Sequence, residues 1–181
     1  MNRKIEHGRI GENMEYEHVI HPFDPIYSRT SRILILGSLP SVKSREQNFF
    51  YGHPQNRFWK VISGLMNEPV PVDVEEKRKL LLKYDIAIWD VIQSCDIKGS
   101  SDSSIKNVTP TDLASIVEQS RITKVFCNGK TSGKLYAKYQ SKRVGIDAMI
   151  LPSTSPANAA FSLERLMDAW RVITDIDTVY K

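Results

Sequence analysis

Apolar residues along this chain fall into two patterns, and the alternation between them predicts the architecture. Four short runs, at 33–36, 86–89, 124–127 and 148–151, are apolar but for Lys124 and end in polar or turn-forming residues. Runs of that length and continuity suit strands covered on both faces in a parallel sheet. Between them the spacing turns helical: Phe58, Val61, Ile62 and Leu65 stand at i, i+3, i+4 and i+7, and Leu163, Leu166, Met167, Trp170 and Ile173 mark a last amphipathic helix. Residues 73–84 read as a charged helix, and Thr109, Pro110, Thr111 and Asp112 open another that turns Leu113, Ile116 and Val117 inward. Strands interleaved with helices predict an α/β fold, a three-layer α/β/α sandwich around a central, largely parallel four-stranded sheet. Residues 1–30 read as a partly ordered N-terminal arm, polar and glycine-bearing over 1–19, and 31–181 as one domain.

The first strand delivers the chain into an unusually long connection, 37–55. Most strand-to-helix links take about 2–6 residues, and longer ones are more often functional. In open α/β sheets the ligand crevice lies beyond the carboxyl ends of the strands, where this loop begins. Gly37 allows a sharp turn and a close approach, Pro40 and Pro54 stiffen the loop, and Phe49, Phe50 and Tyr51 offer flat faces. Gln47, Asn48, His53, Gln55 and Asn56 add hydrogen-bonding groups, a set that fits a planar ligand with polar edges such as a nucleobase. The same residues would also serve as core aromatics and helix caps, Asn56 standing just before the helix that begins near Phe58.

Composition narrows the classes. A chain of 181 residues with 41% hydrophobic content suffices for one domain with a substantial core. It carries no run of about 18 apolar residues to cross a bilayer and no signal-peptide pattern, so a cytoplasmic protein without membrane partners is expected. Two cysteines, Cys95 and Cys127, supply neither a disulfide framework nor a four-cysteine iron–sulfur site, and four scattered histidines argue against zinc; no cofactor is expected. Gly129, Lys130 and Thr131 suggest a phosphate-binding loop, but Lys124 stands where its first glycine belongs, so that reading fails. The net charge of +4 is compatible with a polyanionic partner.

Two motifs carry a resemblance. Gly37-Ser38-Leu39-Pro40 after a buried strand, with Tyr51-Gly52-His53-Pro54-Gln55-Asn56-Arg57-Phe58-Trp59 following, resembles the first motif of the uracil-DNA glycosylase superfamily. Leu151-Pro152-Ser153-Thr154-Ser155-Pro156-Ala157-Asn158, ahead of the last helix, is similar to its second motif. The Ser-Leu-Pro-Ser and Ser-Pro-Ala-Asn versions look most like the hypoxanthine-DNA glycosylase branch. Mismatch-specific relatives place a water-holding Asn where this chain has Leu39, a residue that cannot hydrogen-bond water.

The resemblance implies a monofunctional DNA-repair glycosylase, acting as a monomer on DNA with a flipped deaminated base, most closely hypoxanthine. Alternatives are a uracil or mismatch-specific enzyme of the same superfamily and a non-catalytic DNA-binding member of the fold. By the same resemblance the catalytic role falls to Asn56, whose carbonyl would orient water while its amide donates. Base binding falls to Gly37, Ser38, Leu39, Tyr51 and Asn128, with Tyr51 as stacking face. DNA contacts fall to His53, Lys130, Ser153, Ser155, Pro156, Ala157 and Asn158, the last three filling the gap left by the extruded nucleotide. A Ser/Pro turn capping the final helix is the structural alternative for that second loop. No lysine lies in either motif, so a Schiff-base step is not expected.

Overall fold

The structure is a computed structural model that describes residues 15–177. Seven strands occur: β1 (Glu17–Ile20), β2 (Ile33–Gly37), β3 (Ile86–Asp90), β4 (Ile92–Ile97), β5 (Lys106–Pro110), β6 (Lys124–Asn128) and β7 (Ala148–Leu151). The helices are α1 (Val42–Gln47), α2 (Phe58–Leu65), α3 (Val74–Lys83), α4 (Leu113–Glu118), α5 (Lys130–Tyr139), α6 (Ser141–Val144) and α7 (Leu163–Trp170).

The four expected strands form one sheet in the order β3-β2-β6-β7, every neighbouring pair parallel. All five residues of β2 and all five of β3 are buried, as unbroken apolar runs require. Each fully buried Leu or Ile there contributes about 1.5–3 kcal/mol. Helices cover the sheet in the three-layer arrangement expected: α2 packs on α7, α5 packs on β6 and β7, and α6 joins α4 to α5. Phe58 of α2 meets the fully buried Trp170 of α7 edge to face at 6.0 Å, which is where the two amphipathic stripes interlock. β7 sits at one margin, with Met149 and Ile150 half exposed. At the other margin Ile26 forms an antiparallel bridge with Ile88 and closes the open edge of β3.

A second sheet, β1-β4-β5, is antiparallel. Three stretches outside the central sheet take shape around it. The described part of the expected arm is fixed: β1 pairs along β4, and His21 and Ile26 are buried. Residues 1–14 lie outside the described residues. The stretch after β3 holds β4 and the start of β5, with the Ser- and Asp-rich segment 99–105 between them. The long connection 37–55 contains α1, capped by the Ser41 side chain. Val91 alone separates β3 from β4, so the chain passes from the first sheet into the second with one residue between. Its N–H donates to Gly37 O and that of Ile92 to Ser38 O, which ties the second sheet to the loop leaving β2. Val19, Ile92, Cys95 and Ile97 form a small core there, with Leu39 packed on it. Among the described residues no helix is long and apolar enough to cross a membrane.

Candidate active site

A cavity of about 230 Å³ opens at the carboxyl ends of β2, β3 and β6. That is below the roughly 300–1,000 Å³ of pockets for drug-sized ligands and suits a single base. Nine of the thirteen residues singled out above line it: Gly37, Ser38, Leu39, Tyr51, Asn56, Asn128, Lys130, Ser153 and Ser155. Its wall also includes Phe50, one of the flat faces expected in the loop, and Arg45 and Asp90, which the sequence reading did not select.

Asn56 faces this space with a fixed orientation. Its Oδ1 accepts from the backbone N–H of Phe58 and from the Thr154 hydroxyl, both at 2.9 Å. A backbone N–H can only donate, so the atom it meets must be the carbonyl oxygen, and the amide nitrogen is the group left for a ligand in the cavity that Asn56 lines. Asn56 therefore holds the first N–H of α2, ahead of the N-cap Arg57, and lines the cavity at once. The expectation that its carbonyl orients water is corrected, because two donors already occupy that oxygen; what Asn56 offers is N–H.

Thr154, fully buried, is the hub that the sequence reading passed over. Its backbone N–H donates to Asn128 Oδ1 and its hydroxyl accepts from Asn128 Nδ2, each at 2.9 Å. Asn128 thus lines the cavity while its amide holds the second loop, where it was expected to read a base. Arg57 completes the tie. It donates through Nε to Thr154 O at 3.4 Å, through one terminal nitrogen to Ser155 O at 2.8 Å and Asn158 O at 2.9 Å, and through the other to Phe161 O. One guanidinium satisfies four carbonyls of a loop that has no regular partner, so first and second motifs form one rigid unit.

Tyr51 stacks one face on Phe58, centroids 3.9 Å apart, leaving only its other face for a ligand. Its hydroxyl is buried without a hydrogen-bond partner among the described residues, and burial first, then the Asp90 carboxylate, push its pKa up. Its backbone is left-handed (φ 52°), a conformation held by the neighbouring turn, where Gly52 N–H donates to the Ser44 hydroxyl at 3.0 Å. His53 does not reach the cavity lining; its Nδ1 accepts from Gln55 N–H at 3.1 Å and shapes the turn. Pro156, Ala157 and Asn158 stand beyond the lining residue Ser155, with Ala157 exposed and Asn158 Nδ2 donating to Ser153 O at 2.9 Å. Lys130, exposed at the start of α5, is the cavity's cationic rim. The Cys127 thiol is pushed up to about 11 by burial, so it stays protonated at neutral pH and supplies no nucleophile.

Asp90 is the buried carboxylate of the wall. His21 Nε2 meets its Oδ2 at 2.8 Å with side-chain exposures of 0% and 5%. Its Oδ1 lies over Gly37, so close that a Cβ there would stand 2.2 Å away. Glycine at 37 is therefore a steric requirement of the Asp90 side chain as much as of the turn.

Comparison with known proteins agrees with this geometry. The family model described as the uracil DNA glycosylase superfamily matches residues 25–175. A hypoxanthine DNA glycosylase of Methanosarcina acetivorans is 32% identical over 145 residues, covering 79% of this chain and 90% of that relative. One from Methanosarcina barkeri is 30% identical over 150 residues, covering 82% and 93%. The solution NMR structure of a uracil DNA glycosylase candidate from Methanosarcina acetivorans superposes with a TM-score of 0.72 at 30% identity, covering 86% of this chain and 99% of that one.

Proposed function

Because this chain belongs to the uracil DNA glycosylase superfamily, we propose that it hydrolyses the N-glycosidic bond of an extruded deaminated base in DNA, with hypoxanthine as its preferred base. The observation that carries the reading is the junction of the two motif loops over one base-sized cavity that Asn56 lines, with its Oδ1 already engaged by Phe58 N–H and the Thr154 hydroxyl. Relatives at about one-third identity named hypoxanthine DNA glycosylase support the choice of base.

A base stacked in duplex DNA is beyond the reach of such a cavity, so extrusion comes first. The base enters between the free face of Tyr51 and the loop Ser38-Leu39, while the segment Pro156-Ala157-Asn158 fills the space it vacates. Arg57 and Thr154 hold that segment in place before DNA arrives, so its ordering is not charged to binding. In the chemical step the C1′–N9 bond breaks with its electron pair leaving on the purine, water adds to C1′, and the water proton ends on the free base. Asn56 Nδ2–H donates to the departing base as negative charge develops there, a fixed donor in a partly dry site.

The test is a panel of duplexes, each holding one deoxyinosine, deoxyuridine or deoxyxanthosine, with released base measured over time. Hypoxanthine release at the highest rate is expected. Uracil release without hypoxanthine release would replace the preferred base, and binding with no release from any duplex would make the chain a non-catalytic member of the fold.

A further inference from the structure

We propose that the groove between α5 and β5 is a second nucleic-acid site, which holds unpaired nucleotides next to the extruded one on one side of the lesion. This rests on the proposed function for the nucleotide in the cavity and goes beyond it in the strand that leads away from there.

Continuity and charge carry the assignment. The groove, about 690 Å³, is lined by Thr131 in the first turn of α5 and by Asp102, and both residues also line the base-sized cavity. The two spaces therefore join, and the groove follows α5 as far as Tyr139 at the end of the helix. Lys134 and Lys138 line it, and with Lys130 at the cavity rim they stand at i, i+4 and i+8, on one face of α5. At about 1.5 Å per residue that row is about 12 Å long, the length of about three or four nucleotides at about 3.4 Å each. From β5 comes Lys106, whose Nζ lies 3.5 Å from the ring centroid of Tyr16. All four lysines are exposed, and none is ion-paired among the described residues. Against them the lining holds one carboxylate among the described residues, Asp102 at the junction.

The rest of the lining decides which form of nucleic acid fits. Ile105, Val108, Leu135 and Tyr139 are half-buried, and the first three pack on the small core of the second sheet, so this apolar surface is fixed in place. A closed duplex keeps the faces of its bases stacked inside and turns phosphates, sugars and base edges outward, so an apolar trough finds little to match in it. An unpaired strand offers phosphates and flat base faces together, which a cationic groove with apolar and aromatic faces accepts without regard to sequence. The like charge of Asp102 turns phosphates toward the lysines of α5 and leaves the bases to the apolar side. Lys138 Nζ stands 4.9 Å over the ring of Tyr139, so charge and stacking face meet at the far end of the groove.

The arrangement has a direction. The cavity lies at one end of the groove, so only one side of the lesion strand can enter it. The gain from unpaired nucleotides is therefore one-sided, and it ends once the row of lysines is covered.

The experiment measures affinity by fluorescence anisotropy, at several salt concentrations, for DNA holding one abasic-site analogue. The substrates are a closed duplex and partial duplexes in which a growing number of nucleotides, on the 5′ or the 3′ side of the analogue, is left unpaired. Wild type is compared with Lys134→Glu/Lys138→Glu and with Arg78→Glu/Lys79→Glu, which makes the same change of charge at exposed positions of α3; melting temperatures are measured alongside. Wild type is expected to gain about tenfold or more in affinity as unpaired nucleotides are added on one side, levelling off after about three or four, and no more than a few-fold on the other. Lys134→Glu/Lys138→Glu should lose the one-sided gain and lower the salt slope on the unpaired substrate by about 1.4, two contacts at about 0.7 each. Its affinity for the closed duplex should follow that of the α3 variant. An equal gain from both sides, no gain from either, or a groove variant whose loss is the same on closed and unpaired substrates would overturn the assignment. Because the analogue carries no base, the result is independent of which base is released. A one-sided gain without base release from deoxyinosine overturns the proposed function alone, and release from deoxyinosine without the gain overturns the groove alone.

Discussion

The two sheets contribute to the site in different ways. The parallel sheet β3-β2-β6-β7 is buried through its middle and delivers its strand ends to the cavity: Gly37, Asp90 and Asn128 are the last residues of β2, β3 and β6. The antiparallel sheet β1-β4-β5 is largely exposed, with one buried residue in β1 and none in β5. It adds no reacting group, yet it fixes those that the first sheet delivers. The chain leaving β1 brings His21 to Asp90, and its small apolar core seats Leu39. A difference in consequence follows: damage on the parallel-sheet side should remove chemistry, whereas damage on the antiparallel side should alter fit or stability.

The sharpest way to break that division is Asn56→Ala. Losing a fixed donor at a developing charge should slow hypoxanthine release by about 100–1,000-fold. Losing the bond to the first N–H of α2 should cost only about 1 kcal/mol, read from chemical denaturation. A rate within fivefold of wild type would show that Asn56 serves the helix start alone.

Arg57→Met should have the next largest effect. It removes four loop carbonyl contacts while keeping much of the side chain's volume. If the loop serves extrusion, release from duplex DNA should fall by about tenfold or more, and release from single-stranded DNA much less, since no stacked partner strand must be replaced. Equal losses on the two substrates would assign Arg57 to general stability.

Leu39→Asn lies at the seam between the sheets. It puts an amide where mismatch-specific relatives hold water, and uracil release should rise by a few-fold. Because Leu39 packs on the Val19, Ile92, Cys95 and Ile97 cluster, stability should fall by about 1–3 kcal/mol. Unchanged uracil release with that loss of stability would leave Leu39 a packing residue only.

The smallest effect concerns the second sheet alone. Asp96 on β4 accepts from Asn107 of β5 at 2.6 Å and meets His18 of β1 at 2.8 Å, and these bonds hold its carboxyl below the ordinary 3.8. A depressed carboxylate contributes stability above the unfolded value, and that contribution is lost as pH falls through the folded value. Relative to Asp96→Asn, the wild-type protein should therefore lose a small part of its stability advantage only below about pH 4. An advantage independent of pH across that range would remove Asp96 as the link among the three strands.

The sequence made these two regions unequally legible. Strands covered on both faces write themselves as unbroken apolar runs, and all four were readable from that signature, though β7 proved to be a half-exposed margin. β4 hid because its register shifts between Ile92 and Ser94 and again between Ser94 and Asp96, which breaks the alternation that would announce a half-buried strand. β5 ends in Pro110 and exposes most of its side chains, and both features suggest a loop. At the site, the motifs marked the residues that line the cavity, but not which face of each side chain is free. Asn56 and Asn128 are spent on Thr154 and on the first turn of α2, a matter of three-dimensional pairing with no trace in spacing. Asp90 and His21 lie 69 positions apart, so only the joining of the two sheets makes them a pair.

The most direct test of the whole account is a structure of the Asn56→Ala variant bound to an uncleaved duplex containing one deoxyinosine. The account predicts an extruded hypoxanthine against the free face of Tyr51, with the segment Pro156-Ala157-Asn158 in the vacated position of the helix. A deoxyinosine still stacked in the duplex, or one extruded with that segment left outside the helix, would contradict it.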